Sequence, residues 1–139
     1  MKKPATKPPA AKIRRTLVIA ENHAEMANAL VTLLHDDFDV LAVAESGERL
    51  LEYVKTLRPD GVVSDVNLEG LDGIAATSRI RALFPTLPVV LLTAGDIASL
   101  QPAGIAAGAA TLLAKAQADK MLVRILNELF ERSHLSESR

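Results

Sequence analysis

From Arg15 onward, short continuous apolar runs alternate with longer stretches whose apolar residues recur at helical spacing. That alternation narrows the available folds more than any other feature of the chain. Thr16–Ala20 (TLVIA) is apolar throughout, as a parallel strand covered on both faces must be. Met26, Leu30, Leu33 and Leu34 then fall at the i, i+4, i+7, i+8 spacing of a helix face. Phe38–Ala44 reads as a second strand, and Leu50, Leu51, Val54 and Leu57 as a helix stopped by Pro59. Gly61–Asp65 (GVVSD) is a third strand, followed by a Gly-rich loop and a helix from about Gly73 to Phe84, before Pro85. Pro88–Thr93 and Ala110–Lys115 supply the fourth and fifth strands. The last helix carries Met121, Leu122, Ile125, Leu126 and Leu129 on one face. Gly95–Gly108 fits least well. Proline suits the first turn of a helix, so a short helix over about Gln101–Ala107 is expected there, with Pro102 near its start.

Strand–helix units with short loops specify an α/β chain: one parallel sheet with helices on both faces. A length of 139 residues suits one such (βα)5 domain, expected over 15–132. Six of the 16 Lys and Arg residues lie in the first 15 positions, where no acid does. The remaining 10 basic against 17 acidic residues leave the body at −7. An acidic body argues against nucleic acid as a direct partner, because that binding rests on phosphate neutralisation. The Pro- and Lys-rich extension over 1–14 is expected to be disordered, and 133–139 to form a short polar tail. Cysteine is absent, which excludes a disulfide framework and thiolate metal sites. No apolar run approaches bilayer length and no secretory signal opens the chain, so a cytoplasmic protein with no membrane partner is expected.

In a doubly wound sheet, ligands bind beyond the carboxyl ends of the strands, where strand order reverses. That rule selects Glu21 and Asn22 after the first strand, Asp65 and Asn67 after the third, Thr93 after the fourth and Lys115 after the fifth. Carboxylates suit Mg2+, which keeps several waters and binds beside phosphates. A carboxylate can also accept a phosphoryl group, and a hydroxyl and an ammonium are what that group's oxygens need.

The stretches LVIAENH, PDGVVSDVNLEGLDG, PVVLLTAG and GAATLLAK resemble, in order and spacing, the signature stretches of bacterial two-component response-regulator receiver domains. The resemblance covers roughly Arg15 to Phe130. It implies a flavodoxin-like sheet in the order 2-1-3-4-5 and a stand-alone signalling module, not an enzyme beyond catalysing its own phosphorylation and dephosphorylation. It further implies that Asp65 accepts phosphate from a histidine kinase or phosphotransfer protein. Glu21, Asp65 and the Asn67 backbone carbonyl would hold Mg2+, with Asn22 adding a contact through water. Thr93 and Lys115 would contact the phosphoryl oxygens, and Thr93 with Leu112 would occupy the switch positions. Only a short polar tail follows Phe130, so output is expected through binding an effector protein, with a homodimer through the fourth helix, fifth strand and fifth helix as one form.

Several residues depart from the family pattern. Asn22 stands where a second acid is usual, and Glu69 replaces a loop proline. Leu112 takes the place of a switching aromatic ring. Ala116 follows Lys115 in place of a proline with a cis bond; a cis bond to Ala costs about 3–4 kcal/mol, so a trans bond is expected. Asn22 with Glu25 also makes an N-cap pattern, and that reading stands beside the metal-shell one. Asp72 reads as the cap of the third helix, and His23 as a surface residue. These departures keep a second hypothesis open, a pseudo-receiver that binds partners without useful phosphorylation. A third, a toprim-type metal-dependent enzyme, needs a second Asp where Asn67 stands.

Overall fold

Strands that are apolar on both sides can be stable only inside a sheet covered twice, and the computed structural model has that arrangement. It describes residues 14–137, with side chains over 14–132; the expectation for residues 1–13 lies outside the described residues, and of the tail expected at 133–139, residues 133–137 continue the last helix while 138–139 lie outside. Elements follow in the order β1 (Thr16–Ala20), α1 (Ala24–Leu34), β2 (Asp39–Ala44), α2 (Gly47–Leu57), β3 (Gly61–Asp65), α3 (Gly73–Leu83), β4 (Val89–Thr93), α4 (Ile97–Ala107), β5 (Thr111–Ala114) and α5 (Ala118–Glu137). A 3-10 turn, Lys115–Gln117, joins β5 to α5. The five strands pair in parallel in the order β2-β1-β3-β4-β5, the flavodoxin-like arrangement expected from the sequence.

Successive strand residues point to opposite faces and build two cores. Val18, Ala20, Val62, Val89 and Leu91 pack with Leu50, Val54, Ala76 and Ile80 of α2 and α3. Leu17, Ile19, Val63, Val90 and Leu92 pack with Leu30 and Leu34 of α1 and with Leu122, Leu126 and Phe130 of α5. Burying each large side chain contributes about 1.5–3 kcal/mol. Local signals fix the helix ends. Ser46 caps α2 by accepting from the Arg49 N–H at 3.1 Å, and Asp72 caps α3 by accepting from the Ala75 N–H at 2.8 Å, as its position implied. Arg14 donates to the backbone carbonyls of His35, Asp36 and Phe38 and to the Asp39 carboxylate, placing a cation at the carbonyl end of α1.

Two expectations are corrected. The helix placed at Gln101–Ala107 starts four residues earlier, at Ile97, so Pro102 sits inside it. Asp96 starts it: its carboxylate accepts from the Ala98 N–H at 3.1 Å and from the Ser99 hydroxyl at 2.9 Å. The missing Pro102 N–H leaves the Ala98 carbonyl without its helical donor, a local defect that the Asp96 cap and the left-handed Gly108 C-cap (φ 107°) hold between them. Asn22 is not the N-cap of α1. That position belongs to His23, whose side chain makes no capping hydrogen bond.

Candidate functional site

Strand order reverses at β1, which lies between β2 and β3, and the pairing Ala20↔Ser64 sets the next residues of the two strands, Glu21 and Asp65, side by side. The Glu21 N–H bonds to the Ala44 carbonyl at 2.9 Å, prolonging the β1 ladder by one residue. Close packing fixes the loop after Asp65. A Cβ on Gly73 would meet the Asp65 carbonyl oxygen at 2.1 Å, and one on Gly47 would meet the Leu71 carbonyl oxygen at 2.0 Å. Only glycine therefore lets α2 and α3 begin this near the loop. The Glu48 carboxylate accepts from the Leu71 N–H, and Gly70 turns the loop at φ +68°.

Glu21 and Asp65 are buried, at 1% and 2% exposure. Between them lies the Lys115 ammonium, 2.8 Å from Asp65 Oδ2 and 3.1 Å from Glu21 Oε1. Every described peptide bond is trans, that between Lys115 and Ala116 included, and the 3-10 turn nevertheless delivers Lys115 to the site. Burial alone would raise the Glu21 carboxyl, but the Lys115 ammonium beside it and hydrogen bonds from His23 outweigh it and hold the group below its ordinary range. Burial likewise works against the Lys115 charge, and the facing Asp65 and Glu21 carboxylates overcome it, raising the ammonium above its ordinary value. The second Asp65 oxygen, Oδ1, accepts from the Asn67 N–H at 3.2 Å. Thr93 is fully buried, and its hydroxyl accepts from the Gly95 N–H at 2.9 Å, closing the turn after β4.

Two buried oxygens lack a hydrogen-bond partner among the described residues: Glu21 Oε1, whose contact with Lys115 is an ion pair with poor hydrogen-bond geometry, and Asn22 Oδ1. Orphaned buried oxygens beside two carboxylates are what a hard cation such as Mg2+ requires, so the donor set fits that ion. Leu112 lies away from this edge, buried against α4, where a Cβ on Gly104 would meet its Cδ1 at 2.6 Å. His23, read as a surface residue, is exposed, yet its Nδ1 lies 3.0 Å from Glu21 Oε2. Among the described residues, no helix is long and apolar enough to cross a membrane.

Comparison with known proteins agrees with this geometry. The family model described as "Response regulator receiver domain" matches residues 17–127. The response regulator MprA of Mycolicibacterium vanbaalenii is 32% identical over 119 residues, covering 86% of this chain and 51% of that protein, so the chain spans about half the length of such curated relatives. A putative response regulator from Chloroflexus aurantiacus is 34% identical with a TM-score of 0.76, over 84% of this chain and 97% of that one. The receiver domain of Francisella response regulator 1452 superposes with a TM-score of 0.80 at 25% identity, over 86% of this chain and 99% of that one.

Proposed function

The chain belongs to the response regulator receiver domain family of two-component systems, and from that premise we propose that it is a switch set by Mg2+-dependent phosphorylation of Asp65. The observation that carries this reading is the buried Asp65 carboxylate at the point of strand reversal, with Lys115 on one oxygen and Glu21 beside it. The donor is a histidine kinase or phosphotransfer protein. An Asp65 carboxylate oxygen forms the new bond to phosphorus while the bond from phosphorus to the donor's imidazole nitrogen breaks. Mg2+, held by Glu21, Asp65 and the Asn67 carbonyl, with Asn22 reached through water, would neutralise charge on the transferring group. Lys115, already on Asp65, would take a phosphoryl oxygen, and the Thr93 hydroxyl another. Burial of the Asp65 and Thr93 side chains limits competing water.

The incoming charge of about −1.5 to −2 then biases a two-state surface. The Thr93 hydroxyl closes the turn that leads into α4. That helix buries only Gly104 and contains Pro102, so it is weakly held and can rearrange at modest cost. Output is binding to an effector protein, or to a second copy through α4, β5 and α5, in the cytoplasm and without direct contact to nucleic acid. Leu112 follows the movement of α4 through its contact with Gly104 and does not swing as an aromatic ring would. Amide exchange with Mg2+ and beryllofluoride tests this account. Protection should rise around Asp65 and across 97–107. Protection confined to the Asp65 loop, or none, would favour the pseudo-receiver, a reading to which Asn22 in place of an acid also points.

A further inference from the structure

One group on this edge has no part in the phosphoryl chemistry: the His23 ring. Its Nδ1 lies 3.0 Å from Glu21 Oε2, and the His23 backbone N–H donates to that same oxygen at 3.1 Å, which fixes the residue beside the carboxylate. One donor atom each from Glu21, His23 and Asp65 lie within 4.8 Å of one another. In an octahedral shell with bonds of about 2.1 Å, adjacent ligands stand about 3.0 Å apart. The Glu21–His23 pair, now joined by a hydrogen bond, already stands at that spacing, so an ion can replace the shared proton without moving either group far. Glu21 is 1% exposed, and its Oε1 makes no hydrogen bond among the described residues beyond its ion pair with the Lys115 ammonium at 3.1 Å, so an oxygen of the site is open to an ion that takes the place of the ammonium. The site already accommodates a cation, the Lys115 ammonium. The imidazole is 71% exposed, so it can turn onto an ion without disturbing the core.

We infer that His23 is a third protein ligand, which gives the site two carboxylates and an imidazole and turns its preference from Mg2+ toward a borderline divalent ion of the Co2+–Zn2+ kind. Hard Mg2+ takes oxygen donors, whereas imidazole adds affinity for the later first-row ions. Asn22 removes charge that would favour Mg2+, and the ring adds a donor that Mg2+ uses poorly. When an ion binds, Nδ1 presents its lone pair and the ring proton resides on Nε2. His35 also meets a carboxylate, that of Asp36 at 3.2 Å, but that pair is exposed and lacks a second acid, so it is an internal control.

The inference rests on the receiver reading only in that Glu21 and Asp65 hold a cation. The test titrates the full chain calorimetrically with Co2+ and with Mg2+, in wild type, His23→Ala, His35→Ala and Asp65→Asn. His23→Ala should weaken Co2+ binding about tenfold or more and change Mg2+ binding less than about threefold, with His35→Ala silent. The Co2+ protein should also show hyperfine-shifted, non-exchangeable imidazole ring protons in its NMR spectrum that His23→Ala abolishes. Unchanged Co2+ affinity in His23→Ala, equal loss for both ions, or no shifted imidazole proton would overturn the inference. If Asp65→Asn still abolished Mg2+ binding in that case, the receiver reading would stand alone. A shifted His23 proton in a protein that takes up no phosphoryl group would support the inference while the switch reading failed.

Discussion

Lys115 and Asp65, fifty residues apart in sequence, meet at 2.8 Å on the carboxyl edge of the sheet, where the one ammonium faces two buried carboxylates. Removing it should matter more than removing either acid. Lys115→Ala leaves Glu21 and Asp65 facing each other without a counter-charge and should destabilise the ion-free protein by about 3 kcal/mol. Asp65→Asn leaves a balanced Lys115–Glu21 pair and should shift stability by less than about 1 kcal/mol. Urea unfolding in EDTA separates the two, and equal effects would show that the ammonium is not what balances the site.

The same pair gives stability a defined pH dependence. Burial pushes the Glu21 carboxyl up, but Lys115 and His23 together hold it below its ordinary 4.5. Its contribution is therefore complete above about 4.5 and is lost as pH falls through the depressed folded value. The Lys115 ammonium, raised above its ordinary 10.5 by Asp65 and Glu21 against the effect of burial, contributes fully below 10.5 and is lost as pH rises through its folded value. Unfolding free energies in EDTA should show both limbs, and Glu21→Gln should flatten the acid one. An acid limb unchanged in Glu21→Gln would assign it to other carboxylates.

Asn22 occupies the usual place of a second acid, and its Oδ1 is buried without a hydrogen-bond partner among the described residues. Asn22→Asp adds one charge near the ion and should tighten Mg2+ binding about tenfold. Calorimetry reads this directly. Unchanged affinity would mean that the side chain does not reach the ion's shell.

Pro102 interrupts α4, and Pro102→Ala restores an N–H for the Ala98 carbonyl. The variant should be more stable by about 1–3 kcal/mol, the helix-propensity gain less the loss of proline's restriction of the unfolded chain. Amide exchange across 97–107 should slow. If α4 is the moving element, the added protection that beryllofluoride brings should shrink, because the free state is already ordered.

Most of this architecture was legible because its causes are local. Continuous apolar runs such as TLVIA and GVVSD are buried on both faces, and the rule for strand reversal led directly to Glu21 and Asp65. The start of α4 is not legible because proline's preference for a first turn draws the expected start to Pro102, whereas the cap at Asp96 decides where that helix begins. The sequence leaves Asn22 open between two roles because a capping pattern states spacing alone; the backbone turn falls one residue later, at His23. The contact of His23 with Glu21 and that of Glu48 with Leu71 were not legible, since each depends on how a loop folds back and not on periodicity.

The central claim is that Asp65 accepts the phosphoryl group, and intact mass spectrometry after incubation with Mg2+ and a small-molecule phosphodonor tests it most directly. Wild type should gain one phosphoryl mass, lost again under conditions that hydrolyse acyl phosphates, and Asp65→Asn should gain none. A wild-type protein that stays unmodified, or an Asp65→Asn variant modified to the same extent, would contradict the account.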